Sequence, residues 1–128
     1  MESPKLQLYN KVFEILKGFG YSVVDIKEMR QDLPYPFFVV SDVDERKRID
    51  SFNSFTSSLT IKVHLWSIAD NRGEHERLES YINNELCFLY DLDEYQLILN
   101  ELSSNTLVDD TTNQLLLHTV LIAEYKVF

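Results

Sequence analysis

Leu59-Thr60-Ile61-Lys62-Val63-His64-Leu65-Trp66 decides the fold, because apolar side chains recur there at every second position without a break. A period of two sets Leu59, Ile61, Val63 and Leu65 on one face of a strand and Thr60, Lys62, His64 and Trp66 on the other. The first face needs a core, and the second meets either solvent or a partner. Upstream, the polar segment Asp42–Ser58, with Asp44-Glu45-Arg46-Lys47-Arg48 inside it, reads as a loop or hairpin tip. Before it, Phe37-Phe38-Val39-Val40 is apolar at every position, which suits a central strand covered on both sides. Asp32-Leu33-Pro34-Tyr35-Pro36 must be extended, since each proline disfavours helix in the residue before it. Tyr21–Ile26 is β-branched enough for a further short strand.

Two helical patterns flank these strands. Ser3-Pro4 combines an N-cap residue with proline at the first helical position, where the missing N–H costs nothing. Leu8, Val12, Ile15 and Phe19 then recur with Tyr9, Phe13 and Leu16 at helical spacing, and Gly18 and Gly20 close the segment. Downstream, Asn71 with Glu74 three residues later resembles a capping box. Leu78, Ile82, Leu86 and Leu89 share one face of the helix that follows, which Asp91-Leu92-Asp93-Glu94 ends. Tyr95–Leu102 and Gln114–Phe128 read as strands separated by a polar turn region, Ser103–Asn113. Successive strands with short connections pair antiparallel, and amphipathic helices need a sheet to cover. The expected fold is α+β, an antiparallel sheet with two helices packed on one face, in a single domain over residues 1–128. Trp66, Ile68, Ile122 and Phe128 are expected on the opposite, open face, where an apolar surface calls for another chain.

Composition narrows the function. At 45% hydrophobic, the 128 residues hold enough apolar material for a core, which argues against a disordered chain. The single cysteine, Cys87, excludes an intramolecular disulfide framework and a Cys-rich zinc site. No apolar run approaches the roughly 20 residues that span a bilayer, and no signal-peptide core follows Met1, so a soluble protein of a reducing compartment is expected. The formal net charge of −9 argues against nucleic-acid binding driven by phosphate neutralisation. Residues 1–64 carry 9 basic and 9 acidic side chains, whereas residues 65–128 carry 3 and 12, so the excess lies entirely in the second half.

Catalytic chemistry finds no foothold, and no enzyme is expected. There is no Gly-rich phosphate loop, no nucleophile elbow and no His-Glu-x-x-His. His64, His75 and His118 are isolated in sequence; His64 and His118 could approach across strands, but no third ligand is in view and no metal is expected. Cys87 sits beside apolar residues, as a buried inert thiol would. Asp91/Asp93 and Asp109/Asp110 fit turn chemistry. What remains is a candidate contact surface: the only basic cluster, Arg46, Lys47 and Arg48, which suits an acidic neighbour such as the second half of another copy; Phe52 and Phe55, aromatics in a polar segment; and Trp66 on the open sheet face.

The order of these features carries a resemblance. A small N-terminal helix, then Leu33-Pro34-Tyr35-Pro36-Phe37-Phe38-Val39-Val40, a polar loop, Leu59-Thr60-Ile61-Lys62-Val63-His64-Leu65-Trp66-Ser67 and a second helix resemble the tail terminator (tail completion) proteins of long-tailed bacteriophages, over roughly Lys5 to Leu89. The resemblance implies a homo-oligomeric ring, commonly a hexamer, that caps the tail tube protein, stops its polymerisation and docks the head connector or stopper. It places the chain in the virion, at the head–tail junction of the tail, and in the host cytoplasm during assembly. It implies no cofactor and no membrane, and DNA that passes through the ring without specific binding, which an acidic lumen would favour. Two other readings stay open: another head–tail joining protein, adaptor or stopper, and a small acidic monomeric protein-binding domain.

Overall fold

The alternation centred on Leu59–Trp66 belongs to a longer strand. The computed structural model describes residues 2–28, 33–49, 55–111 and 113–128. In it, β4 runs from Phe55 to Ile68, and Leu59, Ile61, Val63 and Leu65 are wholly buried. Two helices cover them, α1 (Pro4–Lys17) and α2 (Arg72–Cys87). Leu8, Val12 and Leu16 from α1 and Leu78, Ile82 and Leu86 from α2 complete the core. Each such side chain contributes about 1.5–3 kcal/mol when removed from water, so the two apolar stripes fix which way each helix faces. Ser3 caps α1 as its sequence predicts, its Oγ accepting from the Leu6 N–H at 3.2 Å, and Gly20 turns the chain with φ 89°.

Asn71 does stand at the N-cap of α2, but its side chain makes no capping bond. Glu74 is engaged elsewhere, accepting from the Tyr21 hydroxyl at 2.6 Å, so the anticipated capping box becomes a latch between α2 and the residue before β1 (Ser22–Asp25). A second latch joins α1 to β1: the Tyr9 hydroxyl donates to Asp25 Oδ2 at 2.6 Å. That bond holds the Asp25 carboxyl below its usual range, while burial and the same bond raise the Tyr9 phenol.

The sheet order is β1, β2 (Phe37–Val40), β4, β6 (Leu116–Val127), β5 (Leu97–Asp109), with β3 (Asp44–Ile49) paired to the first part of β4. β2 and β3 thus share one side of β4, β2 against Val63–Trp66 and β3 against Phe55–Thr60. The α+β expectation holds, with one correction. β1 pairs parallel to β2, so these two strands do not form the hairpin that a short connection would give.

Three further readings change. Asp44–Ile49 is a strand, because the first part of β4 offers it a full ladder of backbone partners. β5 continues through Ser103–Asp109, where a turn region was expected, paired residue by residue with β6 from Ile122 to Leu116. Cys87 is exposed, since the inner stripe of α2 passes through Leu86 and leaves its neighbour outside.

The face away from the helices is less bare than expected. Trp66, Ile68 and Ile122 are on it, but half-buried. Phe37, Val39 and Leu116, which also point that way by register, are buried. The Tyr35 ring lies 5.5 Å from that of Phe37. Exposed apolar side chains gather instead at the margins: Ile98, Leu107 and Val108 on β5, Ile49 on β3, Phe88 and Tyr90 beyond α2, and Phe128.

Candidate functional site

The second face divides into two zones. At one end β2, β4 and β6 align planar side chains into a continuous stack. Phe37 and Trp66 lie 6.4 Å apart and 14° from parallel; Trp66 and His118 lie 3.8 Å apart and 8° from parallel. His118 meets His64 through a 2.9 Å contact between Nε2 and Nδ1. Register explains it: Phe37, Trp66 and His118 are opposite one another across three strands, and His64 is the next residue of the same face of β4. Burial, then the neighbouring His64, push the His118 imidazole down to about 4, and burial lowers His64 as well. One N–H shared between the rings satisfies the contact, whereas a proton on every nitrogen would set two cations against each other.

At the other end the same face is charged. Asp44, Arg46, Arg48, Ser58, Glu124 and Lys126 are among the residues that line a shallow tray of about 750 Å³. All six residues of β3 are exposed. Among the described residues Arg46, Lys47 and Arg48 take part in no ion pair; the one present joins Arg72 to Glu76 at 3.4 Å.

The candidate contact residues therefore separate. Arg46 and Arg48 share one side of β3 and Lys47 takes the other, opposite Ser58, Thr56 and Ser57 respectively. Trp66 is at the far end of β4, held in the stack. Phe55 opens β4 opposite Ile49, and Phe52 lies outside the described residues. The structure joins the basic residues to one another and sets Trp66 apart from them.

Two arrangements escape the sequence reading. Buried His75 bridges the sheet, its Nδ1 2.7 Å from Ser67 Oγ and its Nε2 2.6 Å from Thr119 Oγ1, which in turn meets Thr106 Oγ1 at 2.6 Å. A serine and histidine at this distance suggest a nucleophile pair, but Ser67 and His75 are sealed from solvent. The adjoining void of about 20 Å³ has room for one water and no substrate. The chain of hydroxyls satisfies a buried imidazole and ties α2 to β4, β6 and β5. Its signal is in the sequence: His75 stands three residues before Leu78 on the stripe of Ile82 and Leu86.

The other is a cleft of about 520 Å³ between α1 and the segment after α2, lined by Glu2, Gln7, Glu14, Asp91 and Asp93 with Lys11. Its position follows from α1 and residues 91–93 meeting at the same end of the sheet, which no local pattern announces. Among the described residues no group of three His, Cys, Asp or Glu side chains is placed to hold a metal. No described helix is long and apolar enough to cross a membrane.

No protein-family model matches the sequence, and no curated protein does. Among solved structures, the chain is similar in fold to one from a structure described as the virion of a native gene transfer agent particle. The match has a TM-score of 0.59 and 12% identity, and it covers 95% of this chain and 95% of that one.

Proposed function

We propose that this protein is a structural component of a phage-like virion, and within it the tail terminator: a ring, of six copies, that caps the tail tube, halts its growth and offers the head connector a docking surface. The observation that carries the reading is the likeness in fold to a chain of a gene transfer agent virion, over 95% of both chains. The motif order from Leu33 to Ser67 supports the tail terminator in particular.

Physical features of the chain support self-association. β5 is 13 residues long, and among the described residues no strand pairs with its outer side; Leu107 and Val108 are more than half exposed on it. An edge of that length is a template for added chain unless something covers it. A ring covers every such edge by the same contact repeated around an axis, leaving none for further addition. The acidic second half of the sequence, turned toward the lumen, lets DNA pass without being held.

Tails assembled without the protein are expected to be overlong and variable in length by electron microscopy, and addition of the purified chain should restore a uniform length. Tubes of normal length in its absence overturn the tail terminator reading.

A further inference from the structure

The acidic cleft beside α1 contains an unmet demand. Gln7 is 7% exposed. Its Nε2 donates to the Glu2 carbonyl oxygen at 2.9 Å, which fixes the orientation of the amide. Its Oε1 is then buried with no donor, a state that costs free energy because the oxygen has given up water without gaining a partner. Glu2, Glu14, Asp91 and Asp93 surround the same cleft, with Lys11 as its only cation. An orphaned acceptor under four carboxylates suits a ligand that brings both positive charge and N–H donors on a stem long enough to reach the floor. A guanidinium or ammonium side chain meets that description.

The same chain displays such groups on β3, where Arg46, Lys47 and Arg48 are exposed and unpaired among the described residues. We propose that β3 of one copy docks on the acidic cleft of the next, with Arg46 and Arg48, which share one side of the strand, entering the cleft and donating to its carboxylates and to Gln7 Oε1. Two different surfaces are joined, so each copy offers one and receives the other. Contacts of that kind run head to tail and close into a ring when the rotation permits. This rests on the self-association proposed above and adds to it a charged contact apart from the β5 edge.

The test is sedimentation of purified chain at low and high salt, alone and with tail tubes. Arg46→Glu/Arg48→Glu and Asp91→Lys/Asp93→Lys are each expected to weaken association by about tenfold or more, and mixing the two variants should restore it. Gln7→Leu should weaken association while leaving the isolated chain at least as resistant to urea, a split that a purely structural glutamine would not show. Glu14→Lys probes the opposite wall of the cleft if the Asp91 variant fails to fold. Wild-type association in both charge variants overturns this contact and leaves the ring standing. A wild-type chain that stays monomeric in every condition, tubes included, overturns both.

Discussion

The two faces of one sheet teach different things because alternate residues of the same strands answer to different neighbours. Toward the helices, Leu59, Ile61, Val63 and Leu65 of β4 and Leu121, Ala123 and Tyr125 of β6 are wholly buried among aliphatic side chains. Among the buried polar groups there, His75 is bonded at both ring nitrogens, to Ser67 and Thr119. On the other side, Thr60, Lys62, His64 and Trp66 pass from a charged tray to an aromatic and imidazole stack within one strand. The first face is built to hold the fold. The second carries hydroxyl, charged and ring side chains that are half-buried or exposed.

That contrast can be broken by substitution. The largest effect is expected at Leu86, buried on α2, whose carbonyl also accepts the Tyr125 hydroxyl at 2.6 Å. Leu86→Ala should cost about 2–5 kcal/mol in urea denaturation, and a near-neutral result would mean that this face does not carry the stability. Next, His75→Leu strands the Ser67 and Thr119 hydroxyls in the core and should cost about 1–3 kcal/mol; a stability equal to wild type would remove the hydroxyl chain from the account.

The smallest effect belongs to the second face and depends on pH. Burial holds His64 and His118 neutral, so an unfolded chain takes up protons below about pH 6.5 while the folded one resists until about 4 at His118. The unfolded state therefore binds more protons in that window, and stability falls as pH drops through it. His118→Phe should flatten the decline between pH 6.5 and 4, read as melting temperature, relative to wild type. An unchanged pH profile would place the acid sensitivity in His64 or His75 instead, both also depressed by burial.

Burial also decides what the sequence can tell. The strand at Leu59–Trp66 and the stripes Leu8/Val12/Leu16 and Leu78/Ile82/Leu86 are legible because a core enforces their spacing. β3 is not: an edge strand of Asp44-Glu45-Arg46-Lys47-Arg48 satisfies its backbone against β4 and needs no apolar face, and charge at an edge discourages stray pairing. Ser103–Asp109 escapes for a related reason, since those residues are held straight by β6 rather than by their own preferences. Of the candidate site, the exposure of Arg46, Lys47 and Arg48 is readable from composition. The burial of Gln7 is not, because the groups around it come from Glu2 on one side and Asp91–Asp93 on the other, far apart in the chain. The parallel pairing of β1 and β2 is not legible either, because the residues of a short strand do not record the direction of its neighbour.

β4 has a mechanical consequence. It carries a ladder to β6 from Ser57 to Ile68, and on its other side it meets β3 and then β2. At about 3.3 Å per residue its 14 residues span roughly 45 Å. On that side the partner changes between Thr60 and Val63, while β6 stays paired throughout, so a pull applied beside Arg46 would reach Trp66 chiefly as shear across the β6 ladder. The strand would act as a tie between the charged and the aromatic ends of the sheet.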